Sequence, residues 1–144
     1  MAASNGSTPT KCLPLARILR WVKTEDRCYV IAVVDDDPTV LESLGNLFES
    51  VGYRVRLFEA AEAILEGEVV SEIDALISDI RMPGLDGIEL QRRVGLRRPE
   101  LPVILITARE DVVTPRLLQA NNRGVFRKPI NAVELMNAVA KALA

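Results

Sequence analysis

Histidine is missing from all 144 residues. Its absence excludes imidazole as a general acid or base, as a metal ligand and as a phosphoryl carrier. Cysteine is nearly as scarce. Cys12 and Cys28 stand 16 residues apart with no third or fourth ligand of that kind, which matches no zinc spacing. A reduced pair in a cytoplasmic protein is the simpler expectation. Long apolar runs are lacking as well. The stretch from Leu13 to Val22 is broken by Arg17 and Arg20, so it is neither a membrane span nor a secretory core. The formal net charge of −2 selects no partner by itself.

The charge is unevenly spread. Residues 1–28 hold Lys11, Arg17, Arg20, Lys23 and Arg27 against Glu25 and Asp26. Of the 18 basic and 20 acidic groups, 13 and 18 therefore fall in residues 29–144. A region with that balance is poorly suited to bind nucleic acid through phosphate contacts. The arginines at 92, 93, 97 and 98 suit the solvated C-terminal end of a helix.

Length allows one domain. Residues 1–11 read as a disordered start. Within 12–28, Leu15, Ile18, Leu19 and Val22 fall at helical spacing after Pro14, so residues 1–28 are expected to be a disordered extension or a short amphipathic helix. From Tyr29 the pattern becomes regular. Apolar runs at 29–34, 75–78 and 102–107 read as strands covered on both faces. Residues 53–58 and 124–128 read as two more. Helical stripes lie between them: Val40, Leu41, Leu44, Leu47, Phe48 and Val51 behind the cap pair Asp37-Pro38; a short helix at 60–66; one from Asp86 to about Arg97 with Glu89 completing a capping box; a short one between 111 and 121; and a last one capped by Asn131, with Val133, Met136, Val139 or Ala140, and Leu143 as its stripe. Five repeats of strand and helix predict an α/β fold. The sheet is parallel and doubly wound, (βα)5, with the flavodoxin-like order 2-1-3-4-5.

Strand ends carry the chemistry. Asp35 and Asp36 end the first strand, Asp79 the third, Thr107 the fourth and Lys128 the fifth. In such a sheet these ends share one edge, where ligands bind. Three carboxylates gathered there repel one another unless a cation intervenes, and an open, carboxylate-rich site suits Mg²⁺. A divalent ion, an ammonium and a hydroxyl together would cradle a phosphoryl group, and a carboxylate could accept it as an acyl phosphate. Each residue also has a plain alternative: a helix cap, a turn residue, a β-favouring threonine, a solvated lysine.

Ile31-Ala32-Val33-Val34-Asp35-Asp36-Asp37-Pro38, then Ile77-Ser78-Asp79-Ile80-Arg81-Met82-Pro83-Gly84-Leu85-Asp86-Gly87, then Val103 to Ala108, then Lys128-Pro129 resemble the response-regulator receiver domain of two-component signal transduction. The resemblance spans residues 29–144. It implies that Asp79 accepts a phosphoryl group from a phosphohistidine on a sensor histidine kinase or histidine phosphotransfer protein. Asp35, Asp36, Asp79 and the backbone carbonyl of Arg81 would hold Mg²⁺, or Mn²⁺ in its place. Thr107 and Lys128 would contact the phosphoryl group. Ala108 would leave it access, and Lys128-Pro129 would be cis. Such a protein is a phosphoprotein switch of the single-domain type rather than an enzyme, limited to self-phosphorylation and slow self-dephosphorylation. Its output would be a protein partner or a homodimer, formed through the face of the 111–121 helix, the fifth strand and the last helix.

Three departures fall in the switch region of Thr107, Ala108, Val125 and Phe126. Val125 stands where the family usually has Phe or Tyr. The interval from Thr107 to Lys128 looks about one residue short, and Pro115, after Thr114, is expected to delay or shorten the fourth helix. A phosphorylation-independent binding module is therefore the alternative. A haloacid-dehalogenase-type phosphatase fits less well, because Arg81 occupies the position of its general acid.

Overall fold

A computed structural model describes residues 28–108 and 119–144. The expected 1–28 extension, apart from Cys28, and all but the last residues of the expected 111–121 helix lie outside them. Residues 120 and 121 form a turn.

Five strands are present: β1 (Val30–Val34), β2 (Arg54–Phe58), β3 (Ala75–Asp79), β4 (Val103–Thr107) and β5 (Asn122–Arg127). They form one parallel sheet in the order β2-β1-β3-β4-β5, as the repeat predicts. The described helices are α1 (Pro38–Ser50), α2 (Ala61–Leu65), α3 (Val69–Glu72), α4 (Gly87–Arg97) and α5 (Ala132–Leu143).

Alternation along the strands divides the core in two. Ala32, Val34, Leu76, Val103 and Leu105 pack against Ile64, Val70, Leu90 and Val94, which come from α2, α3 and α4. Ile31, Val33, Ile77, Ile104 and Ile106 pack against Leu41, Leu44, Phe48, Leu135 and Val139, which come from α1 and α5. With both faces covered, every residue of β3 and β4 is buried. This explains why those strands read as unbroken apolar runs.

The caps are as expected in kind. Asp37 accepts from the Thr39 amide at 2.9 Å, Asp86 from Glu89 at 2.8 Å and Asn131 from Glu134 at 3.0 Å. The Glu89 carboxylate does not complete a capping box; it binds Arg92 and Arg93 instead. Those two guanidinium groups hold its pKa down to about 2. The α5 stripe also differs from expectation. Val133 is 62% exposed, while Leu135 and Val139, one turn apart, are fully buried. The α3 turn was not foreseen. It is a single turn, too short for a periodic signal, and Glu68 gives it no side-chain cap. Its end is satisfied from a distance: Arg98 Nη1 donates to the carbonyls of Val70 at 2.8 Å and Ile73 at 2.6 Å.

Cys28 is disulfide-bonded, contrary to the reduced pair expected. Its Sγ lies 3.8 Å from the Gly52 carbonyl and touches that oxygen without a proton to donate. No helix among the described residues is long and apolar enough to cross a membrane.

Candidate functional site

Strand phase brings the expected side chains to the carboxyl edge of the sheet. Asp35 follows β1 directly and Asp79 is the last residue of β3, which lies between β1 and β4. Carboxylate oxygens of Asp35, Asp36 and Asp79 all lie within 4.8 Å of one another. Asp35 and Asp79 are buried, at 1% and 6% exposure, whereas Asp36 is exposed. Lys128 reaches in from the end of β5. Its Nζ lies 3.3 Å from Asp35 Oδ2 and 3.5 Å from Asp79 Oδ2.

Backbone contacts fix this arrangement. The Asp37 amide donates to Asp35 Oδ1 at 2.9 Å, so one residue caps α1 while anchoring the acid before it. The Lys128 amide donates to the Thr107 carbonyl at 2.9 Å, tying the lysine to the end of β4. The Lys128–Pro129 bond is cis, as the resemblance implied.

The electrostatics follow from burial. Asp79 is pushed up to about 6, chiefly by loss of water and then by the negative Asp35, with Lys128 pulling the other way. Burial also raises Asp35, against the Asp37 amide and Lys128. Burial would lower Lys128, but the two carboxylates outweigh it and raise it. One ammonium thus serves two buried acids, with a third at their side. Three carboxylates with oxygens this close form a hard-oxygen donor set that fits a small divalent cation.

The hydroxyl side is arranged differently. Thr107 is fully buried, and its Oγ1 donates to the Ala108 carbonyl at 3.2 Å. Ala108 is exposed. Arg81, also exposed, is in the loop two residues beyond Asp79.

A sequence profile described as "Response regulator receiver domain" matches residues 31–140. The chain belongs to that family. Among curated relatives it is 34% identical to the response regulator protein TmoT of Ectopseudomonas mendocina, over 82% of this chain and 54% of that one. It is also 34% identical to the transcriptional regulatory protein FixJ of Bradyrhizobium diazoefficiens, over 78% of this chain and 56% of that one. The chain thus spans about half the length of these relatives. Among solved structures, the response regulator StyR superposes with a TM-score of 0.75 at 35% identity, covering 81% of this chain and 60% of that one. A response regulator described as putative, from Chloroflexus aurantiacus, gives 0.74 at 32%, covering 81% and 98%.

Within this receiver fold, two substituents beside the pocket are not interchangeable. Val125 packs into the core layer under α2, α3 and α4, while Phe126 packs into the layer under α1 and α5. A one-residue shift in a strand reverses the face. Phe126 therefore does not occupy the space of an aromatic at 125. Just before them, β5 carries an extra residue: Val103 pairs with Asn122 and Ile104 with Gly124, leaving Arg123 as a bulge.

Two positioning residues escaped the sequence reading. Gly87 opens α4 against the backbone of Asp79. A Cβ built there would lie 2.2 Å from the Asp79 carbonyl oxygen, and the Gly87 amide donates to the Ile80 carbonyl at 2.8 Å. Glu62, on α2, accepts from the Leu85 amide at 3.1 Å and so holds the loop after Asp79. A glycine two residues into a Leu-Asp-Gly turn could have signalled close approach. Nothing local marks Glu62, which acts across 23 residues.

Proposed function

We propose that this receiver takes a phosphoryl group onto Asp79 from a phosphohistidine donor, in a reaction that depends on Mg²⁺. The observation that carries the proposal is the shared ammonium: Lys128 Nζ stands within 3.5 Å of both buried carboxylates, beside a third. In the transfer, an Asp79 oxygen attacks phosphorus, the phosphorus–nitrogen bond breaks, and the donor imidazole leaves with the bonding pair. Asp35, Asp36, Asp79 and the Arg81 carbonyl would hold Mg²⁺, with Mn²⁺ a substitute. The ion, when bound, neutralises charge on the phosphoryl oxygens. Lys128 neutralises the same oxygens from the β5 side. The Thr107 hydroxyl would give up the Ala108 carbonyl and donate to the phosphoryl group, while Ala108, with only a methyl group, leaves the entrance open.

The role is that of a switch whose donor is a sensor histidine kinase or a histidine phosphotransfer protein. Its output is a protein partner or a second copy of the chain. About two negative charges would be added at the pocket, enough to redirect Thr107 and the chain that follows it.

Incubation with Mg²⁺ and acetyl phosphate tests this. One hydroxylamine-labile phosphoryl adduct is expected by intact mass, absent with EDTA and absent in Asp79→Asn. A folded protein that forms no adduct would indicate a binding module independent of phosphorylation. An adduct surviving Asp79→Asn would refute the assignment of the acceptor.

A further inference from the structure

The loop 80–86 joins the end of β3 to the start of α4 and carries Arg81 beside the acidic notch. Both of its ends are fixed. At one, the Ile80 amide donates to the Ile106 carbonyl at 2.9 Å, continuing the β3–β4 ladder one residue beyond the strand. At the other, the Gly87 amide returns to the Ile80 carbonyl at 2.8 Å, and Asp86 caps α4. Ile80 and Met82 are buried in the core layer under α2, α3 and α4. Arg81, Pro83 and Gly84 are exposed. Exposed backbone has little packing to define it, so its course depends on the hydrogen bonds that reach it.

Glu62 supplies such a bond from another element. It is the second residue of α2, whose Ala61 and Ile64 are fully buried, so the core sets its backbone. Its Oε2 accepts from the Leu85 amide at 3.1 Å. The same oxygen occupies the space over Gly84, where a Cβ would lie 2.7 Å from it. Gly84 also has a φ of +80°, in the left-handed region that side chains disfavour. Two properties of glycine are thus used at one position: the turn it allows, and the bare flank that admits the carboxylate. Leu85 in turn packs against the buried layer that includes Met82. The carboxylate therefore grips the loop beside its exposed residues.

Glu62 is not a member of the acidic cluster, which among the described residues comprises Asp35, Asp36 and Asp79. Its effect on the notch must pass through the loop. The Mg²⁺ ligand proposed there is the backbone carbonyl of Arg81, which has no rotamer of its own to adjust and goes where the loop goes. A small ion that demands near-ideal octahedral geometry penalises a displaced ligand. Groups that orient a ligand from behind change affinity without touching the ion.

We propose that Glu62 is a positioning residue for the divalent ion. Through the Leu85 amide, and over the bare Cα of Gly84, it fixes the loop and with it the Arg81 carbonyl. The inference rests on the reading of the notch as a Mg²⁺ site. The working feature is the accepting oxygen of Glu62 and not its charge.

Calorimetric titration of the unphosphorylated full-length protein with Mg²⁺, paired with amide hydrogen exchange, tests this. Glu62→Ala should weaken Mg²⁺ binding roughly tenfold. It should also speed exchange of the Leu85 amide, with Tm little changed because Glu62 is exposed. Glu62→Gln keeps an acceptor oxygen and should bind Mg²⁺ nearly as the unaltered protein does. Gly84→Ala displaces the carboxylate from the other side, so the double variant should lose less than the product of the two single losses. In adduct formation with acetyl phosphate, Glu62→Ala should raise the Mg²⁺ concentration for half-maximal rate and leave the rate at saturating Mg²⁺ unchanged. The proposal is overturned if Glu62→Ala binds Mg²⁺ as tightly as the unaltered protein or leaves Leu85 exchange unchanged. It is also overturned if Glu62→Gln loses as much affinity as Glu62→Ala, which would make the effect one of charge. Unaltered protein that binds no Mg²⁺ while its Leu85 amide is protected would instead sink the reading of the notch, and this inference with it.

Discussion

The two sides of the pocket are built to different standards. On the carboxylate side, Asp35 is anchored by the Asp37 amide, Asp79 closes a strand flanked on both sides, and Gly87 lets α4 sit directly on the Asp79 backbone. On the hydroxyl side, Thr107 donates its proton to the neighbouring Ala108 carbonyl, and Val125 is a small aliphatic side chain packed into the layer under α2, α3 and α4. Under the proposed function, the difference would separate holding a phosphoryl group from reporting it. Holding needs fixed charges in a dry notch. Reporting needs a group with somewhere to go.

The comparison breaks most readily at Gly87. Gly87→Val forces a side chain into the Asp79 carbonyl, and the resulting backbone shift should cost about 3 kcal/mol or more. A fall in Tm of roughly 10 °C and loss of the acetyl phosphate adduct are expected together. A variant that keeps both would show that the backbone at Asp79 yields to the added side chain.

Asp79→Asn should have the opposite sign in metal-free buffer. The folded-state pKa of about 6 lies above the ordinary 3.8, so folding binds a proton more tightly than the unfolded chain does. That proton-linked stability is fully present below about 3.8 and is lost as the pH rises through about 6. At pH 8 the neutral amide should therefore stabilise the fold by up to about 3 kcal/mol, and the gain should vanish by pH 4. Urea melts with EDTA at both pH values measure this.

Lys128→Met removes the cation shared by Asp35 and Asp79. A loss of about 2 kcal/mol at pH 8 is expected, less than for a fully buried pair because the lysine is 32% exposed. The loss should shrink as Asp79 takes up a proton below about pH 6. A pH-independent loss would point to packing of the alkyl stem instead.

The smallest effect sharpens the comparison. Val125→Ala should cost about 1 kcal/mol, as for a half-buried aliphatic side chain, with little change in the rate of adduct formation. A large drop in phosphorylation rate would place Val125 on the holding side of the pocket.

Much of this was legible because the relevant signals are local or periodic. The β3 and β4 runs are apolar throughout because helices cover both faces, and the caps at Asp37, Asp86 and Asn131 satisfy amides two or three residues on. The convergence of Asp35, Asp36, Asp79 and Lys128 followed from their shared position at strand ends. What escaped notice acts over distance or depends on phase. Glu62 holds a loop 23 residues away, and Arg98 caps a turn in another part of the chain. The α5 stripe is ambiguous in the sequence because Val133 and Leu135 are both apolar, and only packing decides which faces inward. The opposed faces of Val125 and Phe126 follow from alternation, but which core layer each joins emerged only from the sheet.

The place of Asp79 at the tip of an inner strand would limit how news of the proposed modification could leave. With β1 and β4 bonded along either flank and α4 pressed against its carbonyl, Asp79 is moored like a post in masonry. Loading it would alter what the post carries, not where it stands. Under the proposed function any message would have to travel through the pieces that come to meet it, and Thr107, with its proton lent to a neighbour, would be the nearest such messenger.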